Sequence, residues 1–163
     1  GNGTFVVVGS LDKLGNATIL TSSDGSSWQN RTSGTADWLS GVTYGNTTYV
    51  AVGHSGRILT SPDGITWTEQ ISGTSNNLAE VVYENGSFLV VGHSGTILTS
   101  PDGITWTARS SGTLKNLNGV AYGNSIYVAV GYSGTILTSP DGITWTERDS
   151  GKSNYLSGVT FSR

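Results

Sequence analysis

The chain has no cysteine among its 163 residues. That excludes disulfides, thiolate nucleophiles and cysteine-ligated metals. Charge is scarce as well, with Asp, Glu, Lys and Arg making up 12% of the chain. Solubility must therefore rest on hydroxyls and amides. The eight Lys and Arg are scattered singly, so no basic footprint for nucleic acid exists. The net charge is −3. No apolar run approaches the roughly 18 residues that suggest a membrane span. No membrane insertion is expected, and no signal-peptide pattern is visible. No segment carries a helical period with caps.

What the chain has is repetition. The heptapeptide SPDGITW occurs at 61–67, 100–106 and 139–145, with a looser copy, SSDGSSW, at 22–28. The four tryptophans Trp28, Trp67, Trp106 and Trp145 stand 39 residues apart. After each box come variants of SGT, then of LSGVTYGN, then of TYVAVG, then of GTILTS. Each unit reads as four short strands: Val-Thr-Tyr, Tyr-Val-Ala-Val, Ile-Leu-Thr and Thr-Trp-Thr. Between them lie turn signals in which Gly or Asn supplies positive φ and Pro presets φ. Tight turns make the strands antiparallel neighbours, so each unit is a small meander.

Four such meanders predict a β-propeller. A β-trefoil would have three repeats, a parallel β-helix would lack tight hairpins, and a flat solenoid would need capping units. The prediction is one all-β domain over 1–163 with four 39-residue repeats. A five-residue insertion lies around Leu11–Gly15. The chain starts on a second strand, TFVVVG, and finishes on a first strand, LSGVTF. The segment 156–161, with Val159–Phe161 at its centre, is therefore expected to complete the N-terminal blade. Two closures satisfy that pairing: a four-bladed monomer, which is favoured, and a strand-swapped dimer of eight blades.

The boxes resemble the Asp-box of sialidase-type (BNR-repeat) propellers, whose motif is Ser-x-Asp-x-Gly-x-Thr-Trp. Here the motif reads Ser61-Pro62-Asp63-Gly64-Ile65-Thr66-Trp67, one residue shorter between Asp and Gly. The nearest likeness is to bacterial secreted and surface arrays. The resemblance implies a structural box on the hairpin between third and fourth strands, away from the ligand face. It also implies an extracellular or cell-surface location. Physical reading gives the box residues Asp24, Asp63, Asp102 and Asp141 the task of accepting turn amides. Their tryptophans would fill the gaps between sheets. A single carboxylate per turn is too few hard ligands for calcium.

Function is expected on the opposite rim, where the repeats diverge. Ten residues after each box Trp stand Trp38, Asn77, Asn116 and Tyr155, preceded by Asp37, Asn76, Lys115 and Asn154. The facing turns carry His54, His93 and Tyr132, with Arg57 beside the first. Exposed rings with Asn, Asp, His and Arg suit a polar, ring-shaped ligand. The expected ligand-binding set is Trp38, Tyr155, His54, His93, Tyr132, Arg57, Asp37, Asn77 and Asn116. A glycan is the expected partner, and the alternatives are a protein-interaction propeller or a repeat protein without a selected ligand. No cofactor or metal is expected, because two histidines lack a third. Catalysis is not expected either. The arginines Arg31, Arg57, Arg109, Arg148 and Arg163 do not reproduce the sialidase pattern, and no sequence feature brings two carboxylates together. Five Asn-x-Ser/Thr sequons, at Asn2, Asn16, Asn30, Asn46 and Asn85, are present.

Overall fold

A computed structural model describes residues 3–162, so Asn2 and Arg163 lie outside the described residues. The architecture is all-β, a propeller arc of four antiparallel sheets taken in chain order. The first sheet holds β1 (Phe5–Leu11), β2 (Ala17–Ser22) and β3 (Gln29–Arg31). The second holds β4 (Leu39–Gly45), β5 (Thr48–Gly53), β6 (Ile58–Ser61) and β7 (Thr68–Gln70). The third holds β8 (Leu78–Glu84), β9 (Ser87–Gly92), β10 (Ile97–Ser100) and β11 (Thr107–Arg109). The fourth holds β12 (Leu117–Gly123), β13 (Ile126–Gly131), β14 (Ile136–Ser139) and β15 (Thr146–Arg148).

Turn chemistry makes these meanders. The first two strands of the second, third and fourth sheets meet at Asn46, Asn85 and Asn124, with φ of 45°, 52° and 50°. Asn tolerates the left-handed region better than other residues with a Cβ. Each of β4, β8 and β12 carries a register shift before Gly41, Glu80 and Gly119 respectively. Such a bulge bends the strand. Here it falls where the first strands line the cleft at the hub of the arc.

Three apolar clusters hold the sheets together, one in each seam. Ile19, Leu39, Ala51 and Leu59 join sheets one and two. Val50, Ile58, Leu78 and Phe88 join two and three. Leu89, Ile97, Leu117 and Tyr127 join three and four. Trp67, Trp106 and Trp145 pack against these clusters in turn, half-buried. Each of these tryptophans precedes the fourth strand of its sheet rather than lying within it. Tyr83 stacks directly on Gly45, leaving no space for a Cβ there.

The expected pairing of the terminal strands within one chain is not seen among the described residues. The first sheet has three strands, and β1 is its edge. Residues 156–162 are in no strand. They stay on the fourth sheet instead: Leu156 N–H donates to Gly131 O at 3.0 Å, and Asn118 Nδ2 donates to Leu156 O at 2.9 Å. The Phe161 ring lies over Gly123 just as Tyr83 lies over Gly45. The segment thus takes the place a first strand takes in the next sheet. The ring-on-glycine contact recurs at Gly45 and Gly123, whereas Glu84 stands at the equivalent place in β8.

Candidate functional site: the connector rim

The rim opposite the box hairpins is built from one repeated device. After the second strand of a sheet the chain makes a 3-10 turn, at His54–Gly56, His93–Gly95 and Tyr132–Gly134. The central serines Ser55, Ser94 and Ser133 have φ of 55°, 53° and 54°. This is an uncommon state for a residue with a Cβ. The following glycines have no choice of residue type. Each has positive φ, and a Cβ at Gly56, Gly95 or Gly134 would strike the carbonyl of Thr74, Thr113 or Lys152.

Connector residues clip these turns together. Within a sheet, His54 N–H donates to Trp38 O, and His93 N–H donates to Asn77 O, both at 2.8 Å. Tyr132 N–H donates to Asn116 O at 2.9 Å. Across the seams, Ser55 N–H donates to Asn77 Oδ1 at 3.0 Å, and Ser94 N–H to Asn116 Oδ1 at 2.9 Å. The side-chain oxygens of Asn77 and Asn116 therefore serve the fold of the rim. Tyr155 has no carbonyl to offer at the equivalent place. Its ring stacks on Tyr132 at 4.2 Å with an interplanar angle of 24°.

Two aromatic pairs thus stand on one rim. Trp38 and His54 lie 5.2 Å apart, tilted by 32°. Trp38 is 50% exposed and Tyr155 69%. His93, between the two pairs, is half-buried. Beside the first pair, Arg57 Nη2 donates to Asp37 Oδ2 at 2.6 Å, and Arg57 also pairs with Glu69. The guanidinium bond holds the Asp37 carboxyl below its ordinary range. Arg57 is therefore already engaged by two carboxylates, and Glu69 was not visible as its partner in the sequence.

The box hairpins sit at the other end of the sheets and form a uniform set. Asp63 Oδ1 accepts from Ile65 N–H at 2.8 Å and Thr66 N–H at 2.9 Å. Asp24, Asp102 and Asp141 accept the matching pairs. These backbone bonds lower all four carboxyls, Asp24 to about 2. The indole N–H of Trp67, Trp106 and Trp145 donates to the box glycine carbonyls at 3.0, 3.0 and 3.1 Å. Trp28 is 41% exposed. Among the described residues no group of three or more His, Cys, Asp or Glu could hold a metal ion. No helix among them is long and apolar enough to cross a membrane.

At the hub, a cleft of about 390 Å³ is lined by Gly41, Glu80, Asn118 and Gly158, among others. Glu80 stands where its neighbours have glycine. Its Oε2 accepts from Val120 N–H at 3.0 Å, and burial pushes its carboxyl up. Sequence reasoning left this residue without a role.

Antiparallel meanders radiating from a hub, with a loop rim at one end, define a β-propeller architecture. The chain belongs to the family described as DUF6242 beta propeller domain, which matches residues 70–156. Its fold is similar to a solved structure described as YCF48 bound to D1 peptide, with 22% identity and a TM-score of 0.74, over 99% of this chain and 55% of that one. It is also similar to YCF48 from Cyanidioschyzon merolae, with 19% identity and a TM-score of 0.66, over 97% of this chain and 61% of that one. The chain therefore spans less than two thirds of the length of these relatives. No curated protein matches its sequence.

Proposed function

We propose that this propeller is a non-catalytic binding module that takes an extended polypeptide along its connector rim. The observation that carries this reading is the pair of exposed aromatic platforms, Trp38–His54 and Tyr132–Tyr155, at separate places on one hydrogen-bonded rim. A ligand touching both must be long and extended. Rigid rings give large contact area at low entropic cost. A relative of the same fold is described as bound to a peptide, which favours a polypeptide over the glycan expected from exposed rings alone. The turn hydrogen bonds also support reading the four hairpins as Asp-box devices, with Asp63 and its equivalents tying the turns and the tryptophans closing the seams.

The test is capture on two arrays, one of short peptides and one of glycans, with the intact chain and with Trp38→Ala/Tyr155→Ala. Peptide capture that the double variant loses supports the reading. Capture of glycans alone overturns it in favour of a lectin. Peptide capture that survives the double variant overturns the assignment of the rim.

A further inference from the structure

Glu80 is the odd residue at the hub. It faces Val91 in the register position where Gly41 faces Val52 and Gly119 faces Val130. Glycine on either side makes room for it. A Cβ at Gly41 would come within 3.3 Å of Glu80 Cα, and one at Gly119 would come within 3.3 Å of Glu80 Oε2. The carboxyl therefore lies close over Gly119, where its Oε2 takes the Val120 N–H. Glu80 stays half-buried on the wall of the cleft of about 390 Å³. That volume is within the usual range for ligand sites, about 300–1,000 Å³. Ser40, Asn118 and Ser157 line the same cleft.

The cleft is one-sided in charge. Among the described residues that line it there is one carboxyl and no Lys, Arg or His. Burial without a counter-charge disfavours the ionised form, and the Glu80 carboxyl is pushed up accordingly. Arg57 and Lys115, on the connector side, pair with Asp37, Glu69 and Glu147 instead. A carboxylate has about four acceptor positions, and the Val120 amide uses one of them. Asn118 Nδ2 donates to Leu156 O, so Asn118 Oδ1 is the acceptor side of that amide. The hydroxyls of Ser40 and Ser157 add further acceptors. One carboxylate is too few hard ligands for a metal ion. What fits is an organic cation whose N–H groups spread over several acceptors, an ammonium or a guanidinium.

The cleft adjoins the connector rim. Ser40 follows Trp38 by two residues, Asn118 follows Asn116 by two, and Glu80 follows Asn77 by three. At about 3.3 Å per residue, the step from rim to cleft is roughly 7–10 Å, within reach of a long side chain. The Trp38–His54 platform belongs to the second sheet and Tyr132 to the fourth, so Glu80 of the third lies between the platforms. We propose that the hub cleft takes the Lys or Arg side chain of a polypeptide lying on the connector rim, with Glu80 as its counter-charge. This rests on the reading of the rim as a polypeptide seat and names the side chain that polypeptide carries. The rings hold the main chain, and the cation descends between them to the carboxylate.

Two probes test this. The first is a set of peptide libraries of one length, randomised except for a central Lys, Arg, norleucine or Glu, and captured on the intact chain. The Lys and Arg libraries should be captured about tenfold better than the norleucine library, and the Glu library least. Glu80→Gln keeps an acceptor for Val120 and should bring that ratio to one. Gly158→Lys is the second variant, because a Cβ at Gly158 meets nothing within 4 Å. Its ammonium fills the cleft from within and should erase the preference as well. Equal capture of the four libraries by the intact chain overturns the proposal, and so does a preference that survives both variants. The second probe does not need the rim. n-Butylguanidinium, with n-butanol as control, is titrated in neutral buffer while the Val120 amide is followed by NMR. A saturable shift with the cation alone, lost in Glu80→Gln, supports the cation site. If that shift is seen while no library is captured, the rim reading fails and the cleft stands. No shift at Val120 overturns the cation site.

Discussion

Glu80 in the third sheet accepts a hydrogen bond from the backbone N–H of Val120 in the fourth, at 3.0 Å. It is a side chain reaching across a seam that apolar packing, the Ser94–Asn116 clip and the Tyr127 hydroxyl on Glu84 O also hold. Burial raises its carboxyl, so the protonated form is favoured in the folded state. The stabilisation linked to that shift is complete below the unfolded carboxyl range and is lost as pH rises through the folded value. Glu80→Gln keeps an acceptor for Val120 and removes the buried charge. We expect a higher melting midpoint at pH 7, by about 2–4 °C for each kcal/mol relieved, and no gain near pH 4. Thermal melts of both proteins across that range check this.

The box carboxylates act in the opposite direction. Backbone amides lower Asp102, so its contribution is present above the unfolded range and lost as pH falls through the lowered folded value. Asp102→Ala removes the acceptor for Ile104 and Thr105. The expected cost at pH 7 is about 1–2 kcal/mol, and the difference should shrink as pH falls toward 2. Urea melts at neutral and acid pH measure it.

Trp106 packs half-buried against the second seam cluster and bonds Gly103 O at 3.0 Å. Trp106→Ala should cost about 2–4 kcal/mol, near the lower part of the range for large aromatic truncations. Trp106→Phe should recover most of that, short by about 1 kcal/mol for the lost indole bond. Equilibrium unfolding of the two variants separates ring burial from the hydrogen bond.

Asn116 ties the left-handed Ser94 turn to the next connector. Asn116→Ala should lower stability by about 0.5–1.5 kcal/mol and speed amide exchange most at Ser94. Hydrogen exchange resolved by residue reads this directly. Exchange that is unchanged at Ser94 would remove the clip from the account.

The meanders were legible because turn chemistry is local. Gly64 and Asn85 declare their turns in the sequence, and the Val-Ala-Val runs declare strands. The rim was legible as a place, since Trp38, Asn77, Asn116 and Tyr155 differ where the boxes do not. What Asn77 does was hidden, because its partner is a backbone amide in the preceding sheet, and no pattern announces that. The same holds for Glu69 on Arg57. Closure was illegible for a different reason. It depends on the angle between sheets, a property of side-chain packing in the seams rather than of the repeat length. Periodicity counts strands and says nothing of that angle.

Three hairpins of identical sequence, at 61–67, 100–106 and 139–145, dock into three seats of nearly identical shape. During folding, no hairpin can tell its own seat from its neighbour's, because the contacts around Gly64, Gly103 and Gly142 are of one kind. The discrimination must come from residues that break the repetition. Glu80 is such a mark: at the bulge of the first strands it stands in place of Gly41 and Gly119, and its carboxyl holds the Val120 amide of the next sheet. A residue that looks like a flaw in the pattern thus makes one seam chemically different from the others.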